Sequence, residues 1–219
     1  MRAGFSELKN TFQKIRRLKT IFLFLLAYWL YIDGVDTIIR MAVDYGISIG
    51  LESNDLIVAL LITQFVGFPS AIGFGFLGDR IGAKQAIFAA IAVYLFVTIW
   101  APFMETSREF YIMAMTVGLV QGGIQALSRS FYAKIIPAGK SAEYFGFYNM
   151  MGKFSAIIGP GFMGGVGLAV RSMGYSSDMA SRISITAVSF FFLAGGILLF
   201  FVNQEKGRQE LQNISGPEA

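Results

Sequence analysis

Six apolar runs, each about the length that crosses a bilayer, constrain this chain more than anything else in it. They are Ile21–Tyr45, Leu56–Leu77, Ala83–Pro102, Phe110–Ala133, Ala142–Val170 and Ile183–Val202. A helix crossing the ~30 Å hydrocarbon core needs roughly 20 mainly apolar residues. The composition agrees: 55% of the 219 residues are hydrophobic, 22 are Phe, and the mean hydropathy is +0.59. A water-soluble domain could not bury that much apolar surface, so lipid must solvate part of it. Every backbone polar group inside lipid must be satisfied within the segment, so the runs read as helices. The basic N-terminus ahead of the first run is not read as a signal peptide. The run exceeds the usual h-region of about 7–15 residues, and no small-x-small cleavage site follows.

Turn residues separate the runs. Gly46 and Gly50 follow the first, Pro137 and Gly139 stop the fourth, and Ser176, Ser177 and Asp178 lie between the fifth and sixth. Pro160, between Gly159 and Gly161, predicts a kink in the fifth. The domain reading is a basic cytoplasmic arm over residues 1–19, a six-helix transmembrane domain over 20–203, and a polar, disordered cytoplasmic tail over 204–219.

Lys and Arg set the orientation. Twelve of them (Arg2, Lys9, Lys14, Arg16, Arg17, Lys19, Arg80, Lys84, Lys134, Lys140, Lys206 and Arg208) fall on one side, against Arg108, Arg171 and Arg182 on the other. The positive-inside rule then puts both termini in the cytoplasm. Apart from Lys84 at its start, the third run, like the sixth, carries no charge; both are expected to face lipid, each closing a group of three. That suggests a 3+3 repeat, so the fold class is all-α, an integral membrane protein of six helices. Small residues recur every four positions at Gly67, Ala71 and Gly75, at Gly118, Gly122, Ala126 and Ser130, and at Gly161 and Gly165. Such ladders let helix backbones approach closely, either as static packing or as sliding surfaces.

Charges within the runs are the functional signal. A charged side chain at the bilayer centre costs at least ~2.5–3.5 kcal/mol, and such residues usually face a protein interior or wet cavity. In the first run, Asp33 lies roughly 18 Å from Ile21 along the helix, near the midplane, and Arg40 near the outer rim. Asp36 and Arg40 are spaced for an i,i+4 salt bridge. On the fifth run Lys153 also reaches the midplane, with Asn149 one turn before it. Gln121 and Gln125 share a face of the fourth. The charges balance as Asp33 and Asp36 against Arg40 and Lys153, with Lys153 the expected partner of Asp33. This set reads either as a substrate or proton site or as an ion-pair network locking three helices. Proton coupling needs a carboxylate that loads and unloads near neutral pH, and Asp33 is the first choice. Arg129, at the cytoplasmic end of the fourth run, either snorkels or forms a cytoplasmic gate with Glu143 or Asp79.

The loop Gly75-Phe-Leu-Gly-Asp79-Arg80-Ile-Gly82-Ala-Lys84 joins runs two and three. It resembles the signature loop of the major facilitator superfamily, with Ala83 in place of a basic residue. In that superfamily the loop helps set the balance between inward-open and outward-open states. The stretch Gly118 to Pro137, continued by Glu143-Tyr-Phe-Gly-Phe-Tyr148 and Gly152 to Pro160, resembles the UMF1 family of bacterial permeases. That family is related to the fungal autophagy-related vacuolar amino-acid effluxers. Tyr31-Ile-Asp33-Gly34 resembles the start of that family's second half. The resemblance runs from about Gly4 to Val202 and implies one half of a twelve-span secondary transporter of the bacterial inner membrane. It further implies a small-metabolite substrate, amino acids among them, and as partner a second six-helix half. The chain could equally be a fragment, a split-gene half or a self-associating half. The alternative function is a membrane interaction module without transport of its own.

Other chemistry finds little support. With no Cys and no His, thiol nucleophiles, Ser-His dyads and most zinc and haem sites are excluded, and no cofactor is expected. An intramembrane aspartyl protease needs Tyr-Asp and Gly-x-Gly-Asp. Here Ile32 separates Tyr31 from Asp33, and Phe76 replaces the first glycine before Asp79. No nucleic-acid motif occurs.

Overall fold

A computed structural model describes residues 12–16 and 18–215, side chains excepted at 138, 155, 156 and 213–215. The basic positions Arg2, Lys9 and Arg17, and the tail beyond residue 215, lie outside the described residues. The spans are α1 (Lys19–Ser48), α2 (Ser53–Ile81), α3 (Ala83–Trp100), α4 (Ser107–Ala133) and α5 (Ser141–Ser172). The sixth is divided at Val188 into α6 (Ser177–Ala187) and α7 (Ser189–Phe201), and α8 (Gln204–Ser215) follows. Among the described residues, six helical stretches are long and apolar enough to cross a membrane.

Local chemistry accounts for the boundaries. Gly82, at φ +92°, lets the chain leave α2 and enter α3 without a loop. Thr106 and Glu109 form a reciprocal capping box at the start of α4, and Ser176 Oγ accepts the Met179 N–H at the start of α6. Gly46, expected to follow the first span, instead lies within α1, buried against Leu56. The tail expected to be disordered is helical over Gln204–Ser215. Asn203 Oδ1 accepts the Glu205 and Lys206 N–H groups at its start, and Glu210 reaches the first span. The Glu210 carboxylate accepts the Thr20 N–H at 3.1 Å and the Thr20 hydroxyl at 3.2 Å. Helix α1 has no acidic residue in its first turn and no side-chain cap of its own, so α8 meets its unpaired N–H groups from the other end of the chain.

The packing follows the 3+3 repeat. Exchanging spans one, two and three with four, five and six maps the α2–α4 contact onto α5–α1, α3–α4 onto α7–α1, and α2–α3 onto α5–α6. The first two glycine ladders pack on each other. An added Cβ on Gly118 would lie 2.8 Å from the Thr63 carbonyl oxygen, and one on Gly122 2.8 Å from the Ala71 Cβ. Thr63 Oγ1 also donates across to the Ala114 carbonyl at 3.1 Å. The third ladder differs, since nothing lies within 4 Å of a Cβ at Gly161 or Gly165.

Spans three and six are not simply lipid-facing. On α3, Ala86, Ile87, Ala90, Ile91, Tyr94 and Val97 form a buried stripe, while Phe96 and Ile99 point outward. Tyr94 stacks on Phe192 of α7 at 5.1 Å between ring centroids. The least buried spans are two and five. Only 11% and 19% of their apolar windows are inside the protein, against 44% for three and for six. Phe65 and Phe68 on α2 are each 77% exposed. Lipid and a partner helix are both apolar surroundings, so hydropathy cannot separate a lipid face from a partner face.

Candidate functional site

Three spans wall a cavity of about 460 Å³ in the half of the bundle where α1 begins and α4 ends. Helix α1 contributes Tyr28, Ile32 and Asp36, four residues apart and therefore on one face. Helix α4 contributes Gly122, Gln125, Ala126 and Arg129, and α5 contributes Tyr148, Asn149 and Gly152. The volume falls within the range of small-molecule sites, ~300–1,000 Å³.

Arg129 is held from two directions. Arg129 Nη2 donates to Asn149 Oδ1 at 3.1 Å, and the guanidinium lies 5.8 Å from the centre of the Phe145 ring. Tyr28 and Tyr148 stack across α1 and α5 with centroids 4.1 Å apart. Tyr132 stacks on Tyr148 at 5.0 Å and on Phe24 at 5.8 Å, which extends the aromatic wall toward the start of α1. Tyr31 and Ser128 share a buried hydrogen bond of 2.7 Å and fix α1 against α4 beside the cavity. The site therefore offers a carboxylate, a guanidinium and two amides against an aromatic wall. That combination can bind a small molecule carrying both charges.

The sequence-derived residues divide. Asp36, Gln125, Arg129 and Asn149 meet in the cavity. Gln121 does not line it; its Oε1 is buried without a hydrogen-bond partner. Arg40 and Lys153 are exposed, and the salt bridges among the described residues, Lys14–Glu143 and Arg182–Asp178, include neither. Asp33 does not meet Lys153. It is 2% exposed, and its Oδ1 accepts the Gly159 N–H at 2.8 Å. Equal depth on two helices suggested that pair, but depth carries no information about which way each residue faces. Of the residues expected at a gate, Glu143 accepts from Lys14 at 3.3 Å, and Arg129 donates to Asn149.

At the end of α2, Asp79 and Arg80 are exposed, and nothing lies within 4 Å of a Cβ at Gly75. The close approach there belongs to Gly78, whose added Cβ would run into Leu127. Lys84 reaches the end of the last span, donating to the carbonyls of Phe200 at 2.9 Å and Val202 at 2.6 Å. A cation at a helix C-terminus meets both the free carbonyls and the negative dipole end. Tyr28, Tyr148 and Gly152 were not singled out from the sequence. Tyr28 lies two turns before Asp36 on the same helical face, and that spacing was the available signal. Among the described residues, no three His, Cys, Asp or Glu side chains gather to hold a metal.

The bundle of six spans with an internal 3+3 repeat and a polar cavity among spans one, four and five is a multi-pass membrane protein of the major facilitator type. The family model described as "Vacuole effluxer Atg22 like" matches residues 1–212, and the chain belongs to that family. It is 41% identical over 202 residues to "Uncharacterized MFS-type transporter YxiO" of Bacillus subtilis (strain 168), covering 92% of this chain and 45% of the relative. Autophagy-related protein 22-2 of Aspergillus clavatus is 29% identical over 177 residues, 74% of this chain and 29% of the relative. Autophagy-related protein 22 of Saccharomyces cerevisiae (strain ATCC 204508 / S288c) is 25% identical over 231 residues, 97% of this chain and 41% of the relative. The chain thus spans less than half the length of these relatives. No solved structure matches it.

Proposed function

We propose that the chain is one half of a secondary transporter that moves small metabolites, amino acids among them, across the membrane by alternating access. The observation that carries this reading is the polar cavity, where Asp36 and Arg129 stand on opposite helices among the amides of Gln125 and Asn149. Asp36 suits an ammonium group and Arg129 a carboxylate, which together describe a zwitterion. The likeness to an MFS-type transporter and to a vacuole effluxer family favours transport over intramembrane proteolysis.

The partner in this reading is a second six-helix half, supplied by a separate chain or a second copy. The exposed apolar faces of α2 and α5 support it. Gly75 on α2 and Gly161 and Gly165 on α5 have nothing within 4 Å of an added Cβ, so helices can approach closely there. The expected setting is the bacterial inner membrane with both termini in the cytoplasm. Coupling to protons is assigned to Asp33, buried beside the cavity.

Reconstituted vesicles test the reading. Purified chain, alone and together with a six-span N-terminal half of a relative, is assayed for uptake of a labelled amino-acid mixture under an imposed pH gradient. Uptake that needs both halves and is lost in Arg129→Ala supports the site. Asp33→Asn is expected to transport without responding to the gradient. Uptake indifferent to Arg129→Ala would remove the cavity as the substrate site, and an unaltered gradient response in Asp33→Asn would remove the proton assignment.

A further inference from the structure

The fifth span is built differently from its counterpart, the second. Each carries an internal proline, Pro69 in α2 and Pro160 in α5. Each packs on a lead helix of the opposite triplet, α2 on α4 and α5 on α1. Beside Pro69 the contact is backbone against backbone: a Cβ on Gly122 would sit 3.2 Å from the Gly67 carbonyl oxygen and 2.8 Å from the Ala71 Cβ. Beside Pro160 it runs through one carboxylate. Asp33 Oδ1 accepts the Gly159 N–H at 2.8 Å, and Thr37 Oγ1 donates to the Asp33 carbonyl at 2.6 Å. Gly159 fits against these atoms because it has no side chain; an added Cβ would collide with Thr37 Oγ1.

Proline 160 has no N–H to give to the carbonyl four residues back, and its ring crowds that carbonyl, so the helical ladder is weakest at this turn. Before Pro160, α5 carries Tyr148, Asn149 and Gly152, the cavity wall. After it, Gly161, Gly164 and Gly165 have open space beside them.

We propose that Asp33 is a positioning residue, the clasp of a hinge in α5. Its carboxylate pins the Gly159 amide beside Pro160, so that the arm bearing Tyr148 and Asn149 moves against α1 about this fixed point. The clasp works through hydrogen-bond acceptance, and it touches no substrate. The motion serves the transport proposed above, but the clasp is read without any transport measurement.

The test uses the full chain in nanodiscs. Amide exchange is followed along α5, and spin labels at Lys19 and Ala142 report the distance between α1 and the arm of α5 before Pro160. In the unmodified chain, the Gly159 amide exchanges more slowly than its neighbours Ile157 and Gly161. Asp33→Leu and Gly159→Ala speed exchange around residue 159 by about tenfold or more, the effect of losing a hydrogen bond to a charged acceptor. Both broaden the label distance and leave exchange in α2 and α4 as it was. Asp33→Asn keeps a neutral carbonyl acceptor, so in these two readouts it departs from the unmodified chain less than Asp33→Leu does. Unmodified chain with no local slow point at Gly159 overturns the clasp, and so do variants whose exchange rises equally in α2 and α4. An Asp33→Asn response as large as that of Asp33→Leu would show that charge, not hydrogen bonding, matters at this position. Failure of the uptake assay with these results intact would reject the transport reading alone.

Discussion

Gly118→Ala should destabilise the bundle while Gly73→Ala should not, although both replace a glycine inside a long apolar helix. In a free helix each change is favourable by about 0.8–1.0 kcal/mol, because glycine loses more backbone entropy on ordering. At Gly73 nothing lies within 4 Å of the new methyl, so that gain stands. At Gly118 the methyl would sit 2.8 Å from the Thr63 carbonyl oxygen and 3.2 Å from both the Thr63 Cα and the Val66 Cβ. Carbon contacts are comfortable near ~3.5–4.0 Å, so the two backbones must separate by several tenths of an ångström. The obstacle is main chain and cannot rotate away. Separation also lengthens the bond from Thr63 Oγ1 to Ala114, now 3.1 Å. Overpacking of this kind costs about 1–3 kcal/mol. The two variants should therefore differ by about that amount, with Gly118→Ala the less stable. Reversible unfolding in mixed micelles, read by tryptophan fluorescence, measures the difference. Equal stability, or a more stable Gly118→Ala, would refute the claim that α2 and α4 meet through backbone contact at this rung.

Three further outcomes follow from single contacts. Lys84→Met keeps the aliphatic stem but removes both bonds to the Phe200 and Val202 carbonyls, so it should cost about 1 kcal/mol and raise amide exchange in the last turn of α7. Glu210→Ala leaves the first turn of α1 uncapped. A loss of about 1 kcal/mol is expected, and faster proteolysis of the C-terminal helix would report it. Arg129→Lys keeps the charge but not the planar fork that meets Asn149, so ligand affinity measured by calorimetry should fall less than in Arg129→Ala while thermal stability stays level.

How much of this could be read beforehand depends on what each feature requires. The six spans and their approximate ends were legible because chain length, hydropathy and turn residues are local properties. The first two glycine ladders were legible as packing surfaces because a four-residue spacing places small residues on one face. Their pairing with each other was not, since nothing along the chain says which ladder meets which. The polar residues show the same division. Asp36, Gln125, Arg129 and Asn149 were singled out by type and depth, and they do share a cavity. Asp33 was assigned to the same group on the same grounds. It turned out to face the Gly159 amide because it lies about 60° around the helix from Asp36, and α5 fills that side.

By itself the sequence determined that this is a six-span helical membrane protein and which residues in it are costly to leave unpaired. Those conclusions rest on the free energy of moving a segment from water to lipid, to which each residue contributes regardless of its neighbours. Only the tertiary structure decided that Lys84 closes the last span, that Glu210 caps the first, and that spans two and five carry the open faces. Those facts depend on which surfaces meet. Inside an apolar solvent the meeting is governed by shape and by single hydrogen bonds, and hydropathy does not register either.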